Sequence, residues 1–454
     1  MRKLFGTDGI RGVAGEFPLD ADTSFIIGRA LGHHLGRTDG PPRVVLGQDT
    51  RESSAWIADA VTAGLAAAGV TVESAGVITT PGIAYLARAR SFAAGVVISA
   101  SHNPWTDNGI KVFASSGYKL PDAVELEIEQ EIFTLLADAK AASLPERPAP
   151  GERSLPGSSS LQRLYVRWLA EHLKGSDLSH LRVVVDCANG AASTLAKKVF
   201  AACGVRSRYL YHTPDGRNIN DHCGALFPQM VAAEVKHNEA DLGVTFDGDA
   251  DRVLFADAAG NIVNGDALLL LAARDMKAKG ELPGDLVVAT TMSNMGLEAA
   301  LARSGIRMLR APVGDKYVLE EMRKSGAALG GEQSGHIIFS RDHTAGDGLL
   351  TALRVMEIMV RSGKTLAELV GGLEVFPQVI KNVRVREKKP LDQIPAVARA
   401  IAEAERTLDG SGRVVVRYSG TEPLARVMVE AQSEQEMHRS AESICAAIQK
   451  ALGV

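Results

Sequence analysis

The stretch RVVLGQDTRESSAWIADAVTAGLAAAGVTV, residues 43–72, sets the architecture. It opens on a short β-branched run, crosses a polar turn, and continues with Ile57, Val61 and Leu65 at helical spacing. Gly69 follows where a left-handed glycine ends a helix, and a second β-branched run begins at Val70. Strand, helix and strand in that order imply a parallel pair joined by a right-handed crossover. The plan recurs as RVVVDCANGAASTLAKKVFAACGVRS at residues 182–207, stopped by Gly204, and as LVVATTMSNMGLEAALARSGIRM at residues 286–308, stopped by Gly305. Copies so widely spaced are not a solenoid; they predict three similar α/β domains with mixed, largely parallel sheets.

A chain of 454 residues is too long for one core and suggests three or four. A net charge of −4 argues against a broad nucleic-acid footprint. The four cysteines, Cys187, Cys203, Cys223 and Cys445, contain no CxxC pair, so they are not a zinc framework and suit a reducing cytosol. The first residues, MRKLFGTDGIRG, lack the apolar core of a signal peptide, and the apolar run at 267–273 is too short to span a bilayer. A soluble, cytoplasmic protein with neither nucleic-acid nor membrane partners is expected. Residues 141–160 are rich in Pro, Gly and Ser and read as a linker; further breaks fall near 255–265 and at the glycine pair 371 and 372. The expected domains are 1–155, 156–256, 257–370 and 371–454. In the last, alternation in VIKNVRVR, a helix over 391–408, two strands and a helix over 434–452 give a βαββα order, a small α+β domain with an antiparallel sheet.

Five motifs carry chemistry. GVVISASHNPWTDNGIKVF, residues 95–113, places Ser101 at the carboxyl end of a buried strand, where open α/β sheets keep ligands, with Lys111 on the next strand. Ser101 is a candidate phosphoryl carrier; a polar turn between two strands is the alternative. LGVTFDGDADRVLF, residues 242–255, sets Asp247, Asp249 and Asp251 two residues apart, a hard-oxygen set suited to Mg²⁺ or Mn²⁺ with one position left for a phosphoserine oxygen. An EF-hand fails, because Arg252 and Ala258 stand where Gly and Glu belong; a solvated acidic turn stays open. GGEQSGHIIF, residues 330–339, offers Glu332, Ser334 and His336 among glycines, donors and acceptors for a polyhydroxyl ligand or simply a turn. VVVRYSGTEPLARV, residues 414–427, groups Arg417, Ser419, Gly420 and Thr421 as a phosphate clamp or a hairpin turn. GTDGIRG, residues 6–12, adds Arg11, which can steady a phosphate. SGKT at 362–365 is not a P-loop, since Ile358 replaces the required glycine. Ser101 and His102 are adjacent, and neighbouring side chains generally point apart, so a serine hydrolase pair is not expected.

In order and wording these motifs resemble the α-D-phosphohexomutase superfamily over essentially the whole chain, with GTDGIRG and GEQSGH closest to its glucosamine branch. The resemblance implies four domains around a central cleft, the last similar to the TATA-box-binding-protein fold. It implies that Ser101 is the phosphorylated serine and that Asp247, Asp249 and Asp251 bind Mg²⁺ with the Ser101 phosphoryl group. Lys111 becomes a candidate general acid/base, with Arg11 and Arg252 stabilising charge on the transferred group. Glu332 and Ser334, with His336 nearby, would hold sugar hydroxyls, and Arg417, Ser419, Gly420 and Thr421 the phosphate that stays put. Many members have Asn where this chain has Gly420, leaving backbone amides to bind phosphate there. The implied reaction interconverts glucosamine 6-phosphate and glucosamine 1-phosphate, with a glucosamine 1,6-bisphosphate or similar hexose bisphosphate as intermediate and activator. That would feed UDP-N-acetylglucosamine and cell-wall precursor synthesis, with a sugar phosphate as small-molecule partner and a homodimer as a possible assembly. The alternatives are phosphomannomutase/phosphoglucomutase activity or a non-catalytic sugar-phosphate-binding protein.

Overall fold

The computed structural model describes residues 4–36, 42–141, 157–173, 175–419 and 423–454. They form two compact units, Met1–Met292 with Gly305–Gly371, and Ser293–Ser304 with Gly372–Val454. The first unit holds three mixed sheets of six, five and four strands. In the first sheet Arg43–Gln48 lies parallel between Thr71–Val77 and Ala94–Ile98, and the last of these turns back into the antiparallel strand Asp107–Ala114. The second repeats this with Arg182–Asp186 between Arg206–Leu210 and Leu242–Phe246, followed by antiparallel Val253–Asp257. The third does so with Leu286–Thr290 between Arg307–Ala311 and Leu329–Gly331, followed by antiparallel Ile337–Phe339. Ala94–Ile98, Leu242–Phe246 and Leu286–Thr290 are buried at every residue, as strands covered on both faces must be.

The repeats seen in the sequence are therefore the opening of a longer unit: strand, helix, strand, helix, strand, hairpin. That plan puts three motifs at equivalent places. Residues 99–106, 247–252 and 332–336 each join the third parallel strand of a sheet to its antiparallel partner, at the carboxyl edge where such sheets present ligands.

The helix Ser159–Glu171 reaches three sequence regions. Gln162 donates to the carbonyls of Ala75 and Val77 at 2.9 and 3.2 Å and accepts from Lys198 at 3.0 Å. Buried Tyr165 donates to Asp347 at 2.6 Å. Most of the expected linker, residues 142–156, lies outside the described residues. Among the described residues no helix is long and apolar enough to cross a membrane.

In the second unit Leu424–Ala431 is central in a three-stranded antiparallel sheet, between Gln378–Arg384 and Gly412–Tyr418. Val397, Ala404, Met437, Ile444 and Ile448 of two helices share a core with Val427 and Val429 of the sheet, as the βαββα order requires. One element departs from expectation. The strands of the third repeat pair in the first unit, but its helix, Met295–Arg303, belongs to the second. Asn294 exchanges hydrogen bonds with the Phe376 backbone at 3.0 and 2.9 Å. The Met295 N–H donates at 2.8 Å to Glu430, a fully buried carboxylate that also accepts from Arg413 at 2.6 Å. Buried polar pairing fixes this helix, and an apolar periodicity does not register it.

Candidate active site

Ser101 is buried and left-handed, with φ +54°. That conformation costs a non-glycine residue about 1–2 kcal/mol, so something must hold it. Its carbonyl accepts from Arg51 Nη2 at 3.1 Å and Asn220 Nδ2 at 2.9 Å. The same two groups donate to the Asn103 carbonyl at 2.6 and 3.1 Å. Arg51 is itself buried and paired with Asp49, which accepts from the Ser99 hydroxyl at 2.6 Å, and Ser99 Oγ accepts the Ser101 N–H at 3.0 Å. The serine is thus clamped from two α/β repeats. Arg51→Met should lower the melting temperature and cut turnover at least tenfold, because breaking a buried ion pair costs about 3–5 kcal/mol. Unchanged melting and turnover would remove the clamp from the account.

Asp247, Asp249 and Asp251 are buried and bring carboxylate oxygens within 4.8 Å of one another. Gly248 makes this possible, because a Cβ there would run into the Ser101 carbonyl. The Ser101 hydroxyl donates to Asp247 Oδ2 at 2.5 Å. Burial, then the charges of Asp251 and Asp249, hold the Asp247 carboxyl well above its ordinary range. Asp249 Oδ2 accepts from Thr80 at 2.5 Å and Lys111 at 2.8 Å, yet Asp249 Oδ1 and Asp251 Oδ1 are buried with no hydrogen-bond partner among the described residues. Two orphaned carboxylate oxygens beside a third acid are what a hard divalent cation satisfies. The residues present fit such an ion.

Cations surround the acids. Buried Lys111 lies 2.8 Å from Asp8, 2.8 Å from Asp249 and 3.6 Å from Asp251. Burial works against its charge, but Asp249, Asp8 and Asp251 outweigh burial and raise its pKa above the ordinary lysine value, so it stays an ammonium. Arg11 pairs with Asp8 and donates to Asn103 Oδ1 at 3.3 Å. The Arg252 backbone N–H donates to Asp247 at 3.2 Å. One neighbour contradicts the sequence expectation: the left-handed turn at Ser101 brings His102 Nδ1 to 3.4 Å from Ser101 Oγ. It is no base for the serine, since Nδ1 accepts from Arg252 Nη1 at 3.0 Å. Burial, Arg252 and Arg11 also push the imidazole down to about 4.

A cavity of about 550 Å³ opens on this cluster, within the usual size of a small-molecule site, and Arg11, Asp251, Arg252, Glu332, Ser334 and His336 all line it. Glu332 accepts from the Gly314 N–H at 3.1 Å and from the Ser334 hydroxyl at 3.5 Å. His336 lies between Asp251 and Asp315, at 3.8 and 3.9 Å, and accepts from the Gly346 N–H at 3.1 Å. Burial opposes its protonation, but Asp251 and Asp315 lift it to about 9; Asp315 faces Nε2, where the second proton would go.

Ser101, the three aspartates, Lys111, Arg11, Arg252, Glu332, Ser334 and His336 thus come together in the first unit. Arg417 and Ser419 stand in the second. Arg417 is exposed and directly opposite Arg426 in the ladder, and the buried Ser419 donates its N–H to the Leu424 carbonyl at 2.8 Å. Gly420 and Thr421 lie outside the described residues. Sequence reasoning missed Asp49, Arg51, Asn220, Lys119 and Asp315. Asp49 and Arg51 left a signal, since they follow the strand Arg43–Gln48 at its carboxyl end; the other three left none.

Family models for phosphoglucomutase/phosphomannomutase match domain I over residues 2–138, domain II over 163–260, domain III over 264–376 and the C-terminal domain over 380–447. A phosphoglucosamine mutase of Koribacter versatilis is 61% identical over 457 aligned residues, covering 100% of this chain and 98% of that protein. The crystal structure of a phosphoglucomutase/phosphomannomutase family protein from Burkholderia thailandensis superimposes with a TM-score of 0.78 at 26% identity, covering all of both chains. The Aspergillus fumigatus N-acetylphosphoglucosamine mutase, in complex with GlcNAc-6P and magnesium, shares the fold at a TM-score of 0.67 and 19% identity, covering 100% of this chain and 96% of that one.

Proposed function

The chain belongs to the phosphoglucomutase/phosphomannomutase family, and on that premise we propose that it interconverts glucosamine 6-phosphate and glucosamine 1-phosphate. The observation that carries this is the hydroxyl of a strained, clamped Ser101, 2.5 Å from Asp247 in an acid triplet with two orphaned oxygens. Phospho-Ser101 gives its phosphoryl group to the sugar O1, forming a 1,6-bisphosphate, and takes back the group on O6 after the intermediate turns round. In each half the P–O bond to one oxygen breaks as the bond to the other forms. The proton leaving the sugar hydroxyl is balanced by the one regained at Ser101 Oγ.

Asp247, Asp249 and Asp251 would hold Mg²⁺ together with an oxygen of the Ser101 phosphoryl group; when bound, it withdraws charge from the group being transferred. Lys111 serves as the general acid/base, and Arg11 and Arg252, as guanidiniums, stabilise a loose, charge-rich transition state. Glu332 and Ser334, with His336, bind the sugar in the cavity. Arg417, Ser419, Gly420 and Thr421 take the resting phosphate; an anion there offsets the like charges of Arg417 and Arg426, which face each other across the ladder. The four domains, 1–155, 156–256, 257–370 and 371–454, then supply phosphoserine, metal, sugar and phosphate sites. We place the enzyme in the cytoplasm as a homodimer, primed by a hexose 1,6-bisphosphate and supplying UDP-N-acetylglucosamine and cell-wall precursor synthesis.

The purified protein should be assayed with glucosamine, glucose and mannose 6-phosphates, each with a hexose 1,6-bisphosphate primer. Glucosamine 6-phosphate should lead by at least about tenfold in kcat/KM, the scale of a modest pocket preference. Equal or faster turnover of glucose or mannose 6-phosphate would favour the phosphomannomutase/phosphoglucomutase alternative.

A further inference from the structure

Six side chains, acids alternating with bases, form a closed ring. Asp251 is 3.6 Å from Lys111, Lys111 2.8 Å from Asp8, and Asp8 2.5 Å from Lys119. Lys119 is 2.5 Å from Asp315, Asp315 3.9 Å from His336, and His336 3.8 Å from Asp251. Lys119 stands opposite Asp251 and reaches it by two routes. It is not among the residues that line the cavity, though Asp8 and Asp315, which it holds, both are.

We infer that Lys119 is a positioning residue for the transfer reaction, holding two cavity-lining elements in register through Asp8 and Asp315. The turn just before it is well anchored: Ala114 donates to the Tyr118 carbonyl at 2.8 Å, and the Thr344 hydroxyl to the Gly117 carbonyl at 2.7 Å. Asp8, held by Lys119, is also the partner of Arg11 and Lys111. Asp315 opens a helix directly after Gly314, whose φ of +130° only glycine tolerates and whose N–H donates to Glu332. Fixing Asp315 therefore fixes the donor that orients Glu332. Docking of that helix does not need Lys119. Lys316, one residue along it, already ties the helix to the Leu120 carbonyl at 3.2 Å and to Glu125 at 3.0 Å, and touches no cavity group. Lys119 serves the site instead.

The inference rests on the mutase reading for its readout, so wild-type turnover tests that reading and the ratio of variant to wild type tests Lys119. In the full-length protein, Lys119→Met should lower kcat/KM for glucosamine 6-phosphate by about 100-fold, the loss that a displacement near 1 Å produces, with kcat falling more than KM rises. Lys119→Arg should recover at least about tenfold of that, a guanidinium being able to serve both carboxylates. Lys316→Met should lower the melting temperature yet keep kcat/KM within about threefold, as a tie remote from the cavity would. Should Lys119→Met fail to fold, Lys119→Gln is read in its place. A Lys119→Met or Lys119→Gln variant within threefold of wild type, an arginine variant no better than methionine, or parallel loss of activity in Lys316→Met would each overturn the assignment.

Discussion

Ser101→Ala should cut mutase turnover by at least about 10⁴-fold, ~5 kcal/mol of barrier, while the protein stays folded. The size follows from covalent chemistry. On the proposed mechanism Ser101 Oγ carries the phosphoryl group between turnovers, and among the described residues the other hydroxyl donating to the acid triplet is that of Thr80, whose partner is Asp249. The mildness of the structural effect follows from how the loop is held. Its left-handed turn is fixed by the Ser101 carbonyl, through Arg51 and Asn220, and alanine keeps that carbonyl. What is lost is one hydrogen bond to Asp247, a net cost of about 1 kcal/mol. Turnover assays with a melting curve for each protein check both halves. A folded alanine variant with more than a trace of mutase activity would show that phosphate does not pass through this serine.

The second large effect concerns the cation. Chelation should reduce turnover by at least about 10³-fold, restored by Mg²⁺, because charge neutralisation at the transferring phosphoryl group is the principal electrostatic aid in such reactions. Asp247→Asn isolates the cause. Burial and the charges of Asp251 and Asp249 make Asp247 a poor anion when no cation is bound, so an amide of the same shape should leave the metal-free protein as stable as wild type. Wild type should nevertheless gain stability from Mg²⁺, about 2.7 kcal/mol at a concentration 100 times its Kd, and the asparagine variant should gain little. Melting curves with and without Mg²⁺ decide it. A full Mg²⁺ increment in Asp247→Asn would place the ion elsewhere.

Much of this was legible in the chain because the relevant signals are local. The repeated strand, helix and glycine stop reports burial on both faces of a sheet, and the spacing of Asp247, Asp249 and Asp251 is itself the geometry of a cation site. The turn back after each third parallel strand was not legible, although it is what makes the serine, aspartate and GEQSGH loops equivalent. Leu329–Gly331 and Ile337–Phe339 are three-residue strands, too short to carry a period. Nor did any pattern mark Asn220, which supplies hydrogen bonds to two carbonyls more than a hundred residues away. Lys119 and Asp315 escaped for the same reason: a half-buried charge is matched by its partner in space, which the linear sequence does not show. The helix Met295–Arg303 shows the converse. Its apolar repeat is correct, but buried polar partners decide which unit it joins.

Phosphate content is the most direct test. Intact-mass analysis of active enzyme, followed by peptide mapping, should find one added phosphoryl group on the peptide containing Ser101, passed transiently to glucosamine 6-phosphate within a single turnover and restored to dephosphorylated enzyme by a hexose 1,6-bisphosphate. Full mutase activity in protein that carries no phosphate at Ser101 at any stage of turnover would contradict the account.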